Sequence, residues 1–552
     1  KRSGWMLYGS TKHGQPPYAL SRVINGLVEE TLLPTCSNEE LTKLFSIRNK
    51  SQNDVLVVKE PIVCESDQRV DVTNENVSNT SDDHAIRLQT VEKLVELLSD
   101  TRADGYNTWL DVGICLFNID RNALLNLWES FSARSDKYKR GSCEKKWKSF
   151  ERSKGLEKIR FASLHMWAKM DSPVKYAEVR RSETRDMLFK SIDCTHYDVA
   201  TLVFKRFRYR FVCSSIKSKK WYMFTGHRWQ ITHNASGLRK LIPIEMGDEY
   251  ARMSQYFTRK GVESPDDEDI KAKHKACEKL VQSIKDRRFK DMVIKDCEDL
   301  FDNSKFQKKL DANVNLLGFE NGVYDLERLI FRDGRPEDFV SLSTGYDFAP
   351  LDKTDEKAVA MSKFLGQVLP DTSARKYVLK LISSVLCGKT CDQKFHIWTG
   401  SGSNGKSRIM DLIEDTFGEY SLKLPVTVLT HKRGSSSGCT PEIVKSKGKR
   451  FVSFQEPEKE DKIQVGYMKE LTGGDTIMAR GLNEDPIEFK PQFKMILACN
   501  DLPSIPATDG GTWRRLRVVD FPSKFVDKPD PDNPREFLKD TTLEDQMKGW
   551  RP

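Results

Sequence analysis

A chain of 552 residues is too long for one hydrophobic core, and three or four domains are expected. Its 38% hydrophobic and 31% charged residues are ordinary for a soluble globular protein, and no apolar run is long enough to cross a membrane. The 90 basic and 81 acidic residues leave a net charge of +9, which permits nucleic-acid binding where the excess is locally concentrated. No signal peptide is visible. The 12 cysteines include no C-x-x-C pair. The nearest two, Cys387 and Cys391, have no matching His or Cys pair close by, so they read as reduced intracellular thiols rather than a zinc site. The chain opens on Lys1 and stops at Lys548–Pro552 without a closing element, and it reads as a fragment of a longer protein.

Residues 1–30, with Gly4-Trp5-Met6-Leu7-Tyr8 and Tyr18-Ala19-Leu20, read as the closing edge of a domain lying upstream. From 31 to 85 the composition turns Ser/Asn/Asp-rich, most clearly over Asp71–Asp83, as in a linker. A helical unit is expected over 86–175. Leu88, Val91, Leu94, Val95 and Leu98 recur at helical spacing. Trp109, Val112 and Leu116 suggest a second helix, and Leu124, Trp128 and Phe131 a third. Between Arg134 and Lys158 stand ten basic and four acidic residues, with Tyr138, Trp147 and Phe150 interleaved. Basic side chains beside aromatics suit backbone tracking with base stacking. They suit equally a solvated helix face with its rings turned inward.

A mixed segment is expected over 176–380. From Lys205 to Lys220 there are seven basic and no acidic residues. Phe207, Tyr209 and Phe211 alternate with Arg206, Arg208 and Arg210, a period of two that predicts a strand with one basic and one aromatic face. That strand is either a nucleic-acid surface or an ordinary half-buried one. Lys219–Phe224 and His227–Trp229 are expected to continue the same sheet. The acidic run Asp266–Asp269 and the lysines behind it suggest an exposed helical insertion, and Asn321–Asp325 a turn between apolar runs.

The most informative stretch is Phe395–Ser407. Gly400-Ser401-Gly402-Ser403-Asn404-Gly405-Lys406-Ser407 matches the phosphate-binding loop G-x-x-x-x-G-K-[ST] in full. Phe395, Ile397 and Trp398 before it predict a buried strand. Ile409, Met410, Ile413 and Phe417 after it predict a helix, stopped by Gly418. In such a loop backbone N–H groups close around phosphate oxygens at a positively polarised helix N-terminus. Lys406 is expected on the β- and γ-phosphates of ATP and the Ser407 hydroxyl on Mg²⁺.

Three further strand ends carry candidate chemistry. Phe451–Phe454 leads into Gln455-Glu456, and an acid there can hold Mg²⁺ and the attacking water. Glu456 is the choice, with Glu458 in reserve. Phe493–Cys499 ends on Asn500, whose amide can orient water or meet the γ-phosphate. Thr512-Trp513-Arg514-Arg515 precedes a strand over Leu516–Phe521, and a guanidinium here can act across a subunit boundary as an arginine finger.

The order GSGSNGKS, FVSFQE, LTGGDTIMARGL, ILACN and TWRRLRVVDF resembles superfamily 3 helicases, more narrowly the poxvirus-type primase-helicases of large nucleocytoplasmic DNA viruses. Leu316–Asp325 is similar to the domain those proteins carry before the helicase, Trp109–Trp147 to a helical domain after the primase, and residues 1–30 to a primase tail. The resemblance implies a multidomain α/β chain. It comprises a primase tail (1–30), a linker (31–85), a helical domain (86–175), a mixed α+β pre-helicase domain (176–380) and an AAA+-like P-loop ATPase domain (381–552). It implies a ring, usually hexameric, with ATP and Mg²⁺ between subunits, DNA in the channel and an upstream primase domain as partner. It further implies action at viral replication sites in the host-cell cytoplasm. Carried over by position, Lys406 and Ser407 bind phosphate and Mg²⁺, Glu456 is the acidic motif, Asn500 the sensor and Arg515 the finger. Lys469–Lys490 resembles the segment whose hairpin tracks DNA. Two departures stand out: Gln455 replaces the first of two acids, and the hairpin tip Asn483-Glu484-Asp485 is not basic. DNA contact then falls to Arg480 or Lys490. The function expected is an ATP-dependent helicase module. The alternatives are a DNA-remodelling or packaging ATPase of the same fold and a nucleotide-binding replication scaffold.

Overall fold

The computed structural model describes residues 81–151, 159–193, 195–352, 354–431, 438–457, 461–482, 484–506 and 509–550, together with the backbone of one short strand pair near the N-terminus. It divides into two units, 1–69 and 70–552. In the first, β1 (Val23–Asn25) and β2 (Val28–Glu30) pair antiparallel. Most of the expected primase tail and linker, and the reserve residue Glu458, lie outside the described residues.

The second unit opens with helices over Ser81–Glu96, Tyr106–Ile119 and Leu125–Ser132, where the apolar spacing predicts them, and adds two more over Ser142–Phe150 and Phe161–Asp171. Their core is aromatic: Trp109 stacks on Trp128 at 4.8 Å between ring centroids, and Trp147 and Phe150 close over the same Trp128. Trp147 and Phe150 are buried at 7% and 5% exposure, so these two of the three rings expected beside the basic run 134–158 are core, not stacking platforms, while Tyr138 is half-buried against the same core. Truncating rings so buried costs about 3–5 kcal/mol each, which is reason enough for their presence.

The alternating run around Arg206–Phe211 is not a strand. Thr195 and Asp198 form a capping box, and a helix runs from His196 through Phe207. Val199, Val203 and Phe207 bury one helical face, and the sheet begins only at Phe211. The period of two arose where the last turn of a helix, a tight turn and a strand start follow one another. Phe207, Tyr209 and Phe211 are all buried. The strands β3 (Phe211–Ser215), β4 (Lys220–Thr225) and β5 (Arg228–His233) then form the antiparallel sheet expected from Lys219 onward. The acidic run caps a helix over Glu268–Ser283, with Asp267 accepting from Asp269 and Ile270. This helix is no free insertion: Cys277 and Leu280 are buried. A second meander is formed by β6 (Leu316–Phe319), β7 (Gly322–Asp325) and β8 (Ile330–Arg332); the turn lies at Glu320-Asn321, and Gly322–Asp325, expected within the turn, is a strand.

The C-terminal part is built on a parallel five-stranded sheet. Its strands are β9 (Phe395–Thr399), β10 (Ser421–Lys423), β11 (Phe451–Gln455), β14 (Lys494–Ala498) and β15 (Leu516–Asp520), ordered β10-β11-β14-β9-β15. Between β11 and β14 in the chain lies a separate hairpin of β12 (Ile477–Ala479) and β13 (Ile487–Phe489). A short parallel pair, β16 (Lys524–Val526) and β17 (Glu536–Leu538), follows. The central strands are mainly apolar on both sides because helices cover both faces. Phe395, Ile397, Trp398, Phe451, Ile496 and Leu497 are all buried. The helix Thr372–Val385 spans the expected boundary at 380, and its apolar face joins the core formed by Trp398, Ile409 and Ile413. Among the described residues no helix is long and apolar enough to cross a membrane.

Candidate functional site

The sheet register gathers four chain segments on one edge. In parallel pairing Trp398 stands beside Ala498, Thr399 beside Asp520, and Gln455 beside Ala498. Each strand therefore ends at the same level, and the residues that follow, Gly400, Glu456 and Asn500, emerge together with Asp520. The strand carrying Glu456 is not the immediate neighbour of the phosphate-loop strand in the sheet. β14, with Asn500, lies between them. Parallel strands need crossovers, so adjacency in sequence does not set adjacency in the sheet.

The loop leaves β9 in a conformation few residues tolerate. Gly400 has φ +148°, and a Cβ there would stand 2.3 Å from Asn404 Nδ2 and 2.7 Å from Phe521 O. Gly405 has φ +81°, and its Cβ would meet Val368 at 2.6 Å. Gly402 and Ser403 also have positive φ. Buried Asn404 ties the loop to the next strand by donating to Phe521 O at 3.3 Å, while its Oδ1 accepts from Lys406 N at 3.3 Å. The helix Lys406–Phe417 follows, ended by Gly418. Its first-turn N–H groups and positive dipole end point into the loop.

Lys406 is 5% exposed, and its Nζ donates to Gly400 O at 2.8 Å and Asn500 Oδ1 at 3.4 Å. Burial pushes its ammonium below the usual lysine value, while Cys499, Asp520 and Glu456 pull it back up. Lys406, Asn500, Glu456 and Asp520 thus form one electrostatic group. Asp520 was not singled out in the sequence; its signal is its place at the end of an apolar strand, as for Glu456. Glu456 itself is exposed and sits at φ +49°, a conformation costing about 1 kcal/mol or more outside glycine. The kink ends β11 while Glu456 N still bonds Ala498 O at 3.0 Å. Gln455 is turned away: its Oε1 accepts from Lys423 Nζ at 2.6 Å. The Ser407 side chain is exposed at the first helical turn. Its hydroxyl and the Glu456 carboxylate are hard oxygen donors of the kind a small divalent cation takes.

The arginines stand elsewhere. Leu516 pairs with Phe395, and Phe395 N donates to Arg515 O, so Arg514 and Arg515 lie at the start of β15. This is the sheet edge opposite the phosphate loop, roughly 16 Å away along the strands at about 3.3 Å per residue. Arg515 donates to Gly511 O at 2.6 Å and, with Arg514, to Gln393 Oε1. Arg515 is half-buried and Arg514 exposed. The preceding turn is pinned by Asp509, which takes Lys469 Nζ at 2.8 Å and Thr512, contacts that hold its carboxyl down at about 2. Lys469 in turn belongs to the helix Val465–Thr472 ahead of the β12–β13 hairpin. Arg480 follows β12 at the tip end, donating to Glu484 O at 3.2 Å, and Lys490 follows β13 at the base. The two are exposed but not together, and Asn483 lies outside the described residues. At the tip the apolar Leu482 is 73% exposed.

Three families match separate parts of the chain. "Primase C terminal 2" covers residues 91–168, "D5 N terminal like" 200–373, and a family of unknown function 398–515. A protein of Acanthamoeba polyphaga mimivirus named "Putative helicase" is 35% identical over all of this chain and 62% of its own length. One of Invertebrate iridescent virus 6 with the same name is 27% identical over 98% of this chain and 64% of its own. A "Putative primase" of African swine fever virus is 26% identical over 97% and 59%. The chain therefore spans about three fifths of the length of these relatives. Among solved structures, the apo NrS-1 C-terminal region superposes with a TM-score of 0.30 at 14% identity, covering 43% of this chain and 50% of that one.

Proposed function

We propose that this chain, which belongs to the primase-helicase family of large DNA viruses, is its ATP-driven helicase module. The observation that carries the proposal is the separation of two half-sites on one sheet. The loop, Lys406, Asn500 and Glu456 share one edge, and Arg514 and Arg515 stand on the other. No arginine of that pair reaches its own loop, so a complete site needs a second copy whose arginine edge meets it. Closed head-to-tail association of this kind makes a ring.

In that site Gly400–Ser407 would cradle the ATP phosphates and Lys406 would neutralise the β- and γ-oxygens. Ser407 and Glu456 would hold Mg²⁺, which supplies charge neutralisation of the triphosphate. Glu456 would also orient the attacking water and Asn500 would hold it in line. The neighbour's Arg514 or Arg515 would meet charge developing in the transition state. Lys469 links the arginine turn to the hairpin helix through Asp509. Hydrolysis at one interface can thereby move Arg480 and Lys490 along a DNA strand.

Lys406→Ala tests the motor directly. ATP turnover is expected to fall by about 100-fold or more, since a pre-positioned charge at the reacting phosphate is worth that much; near-normal turnover would overturn the assignment. Mixing Lys406→Ala with Arg515→Ala or Arg514→Ala subunits should restore part of the activity, because some interfaces then pair two intact halves. Absence of any rescue with either arginine removes the shared site. Forked DNA with a labelled strand separates the readings: hydrolysis without displacement favours a remodelling or packaging ATPase, and neither favours a scaffold.

A further inference from the structure

We propose that the cavity between the helix Phe161–Asp171 and the β4–β5 turn binds the phosphate group of a nucleotide, held by Lys169 and Arg210. The cavity, of about 730 Å³, lies where the two matched domains meet. Its walls come from that helix, the helices Pro173–Lys190 and His196–Phe207, the turn Thr225-Gly226-His227, and the start of the helix Gly247–Glu263. It shares no residue with the phosphate loop.

Charge accounting singles out two cations. Arg180 is taken up by Glu183 and the carbonyl groups of Lys205 and Arg206. Arg181, Arg206 and Arg252 share Glu249 at 3.2, 3.8 and 3.7 Å, and Arg206 also meets Glu245 at 3.3 Å. Among the described residues, no carboxylate lies within ion-pair distance of Lys169 or Arg210. Both line the cavity, and after burial the strongest influence lowering the Lys169 ammonium is Arg210 itself, with Glu245 opposing it. Two like charges held in one concavity repel, and an anion between them removes the repulsion.

A second observation points the same way. Two buried polar atoms of lining residues have no hydrogen-bond partner among the described residues: Arg206 Nη1 and His165 Nε2. His165 is 2% exposed and stacked on Tyr209 at 4.5 Å, with Nδ1 3.1 Å from Tyr176 OH. Burial, with Arg180 and Arg208 nearby, keeps it neutral. Buried polar atoms in native folds are ordinarily hydrogen-bonded, so one imidazole nitrogen and one guanidinium nitrogen left without a bond in this wall are poised to meet a ligand once their side chains turn toward the cavity. Phosphate accepts from guanidinium and ammonium at once. The volume is that of a nucleotide-sized ligand, within the roughly 300–1,000 Å³ usual for such pockets. The phosphate can come from a free nucleotide or from a single strand.

The test uses the whole chain carrying Lys406→Ala, so that binding at the loop is weakened and whatever remains there is common to every variant compared. Fluorescent ATP and a 5′-phosphorylated dT20 strand are titrated separately, each with inorganic phosphate as competitor. The background protein is expected to bind one of the probes in a salt-sensitive manner. Adding Lys169→Gln and Arg210→Gln should weaken that binding at least about 10-fold, while Lys169→Arg should retain it. Lys175→Gln, an exposed lysine outside the cavity, should change nothing. Loss confined to ATP identifies a free nucleotide, and loss confined to the strand a strand phosphate. Unaltered thermal unfolding keeps the comparison valid, and if the double variant unfolds early the single variant Lys169→Gln, at an exposed position, is compared with Lys169→Arg instead. Binding of neither probe, an unchanged affinity in the double variant, or an equal loss in Lys175→Gln overturns the proposal.

Discussion

Two regions of this molecule use charge in opposite ways. At the loop edge of the parallel sheet, Glu456, Asp520 and Asn500 are exposed and Lys406 bonds only neutral oxygens, so the charges remain available. Where the helical part meets the β6–β8 meander, charges are buried and matched. Asp111 takes Arg328 at 2.8 Å and also Arg335, and Arg332 pairs with Asp338 at 2.7 Å. Glu337 accepts from Ser163 Oγ at 2.6 Å and from the backbone of Ser163 and Arg160. The first arrangement leaves unpaired charge for a ligand. The second fixes how two parts of the chain sit together. Substitutions should therefore divide cleanly: turnover without stability at the edge, stability without turnover at the junction.

The largest effect is expected at the junction. Asp111→Ala leaves Arg335, 5% exposed, without its counter-charge, and breaking such a buried pair costs about 3–5 kcal/mol. Urea unfolding should show the loss, while turnover per folded molecule at low temperature stays close to that of the unaltered chain. A loss under 1 kcal/mol would mean the junction charges are hydrated, and the contrast between the regions would go.

Glu456→Gln should behave in reverse. The amide keeps the shape and the φ +49° turn but loses the charge that would hold Mg²⁺ and water. Turnover is expected to drop about 100-fold, equivalent to about 2.7 kcal/mol of transition-state stabilisation. Because the side chain is exposed, the unfolding midpoint should not move. Turnover within a few-fold of normal would transfer the acidic role to another carboxylate, Asp520 being the candidate the fold supplies.

The same contrast decides what could be read in advance. Gly400–Ser407 is eight consecutive residues whose chemistry is local, and β9, the loop and the helix after it stand where the residue pattern puts them. Glu456, Asn500 and Arg515 were visible as polar residues bounding apolar strands. Their arrangement was not: β14 inserts between β9 and β11, and Arg515 falls on the far edge, because strand order follows crossovers and not sequence. The junction was illegible for a related reason. Asp111 and its partners Arg328 and Arg335 lie more than 200 residues apart, and nothing local to any of them announces a buried pair. The cavity at Lys169 and Arg210 was equally hidden, since Arg210 sat in an alternation that misread a helix end and a turn as a strand.

Glu337 gives the most diagnostic effect, because it is read as a slope against pH. Burial raises its carboxyl to about 7, against about 4.5 in the unfolded chain, with Asp338 adding to the rise and the Ser163 hydrogen bonds opposing it. Below about 4.5 the group is protonated in both states and has no influence. Between about 4.5 and 7 the unfolded chain releases the proton and the native one keeps it, so this group's contribution to stability falls as pH rises. Above about 7 the penalty is constant, about 3 kcal/mol for a rise of about 2.5 units at about 1.36 kcal/mol per unit. His165, held neutral by burial, contributes with the opposite sign as pH rises towards its usual range, so the net slope of the unaltered protein mixes the two. The difference between Glu337→Gln and the unaltered chain isolates Glu337, because glutamine does not titrate and can still accept from Ser163. Relative to the unaltered chain, the variant should gain stability steadily from pH 4.5 to 7 and then level off. A difference that stays flat across that window would place the Glu337 carboxyl in contact with water and its pairing with Ser163 at the surface.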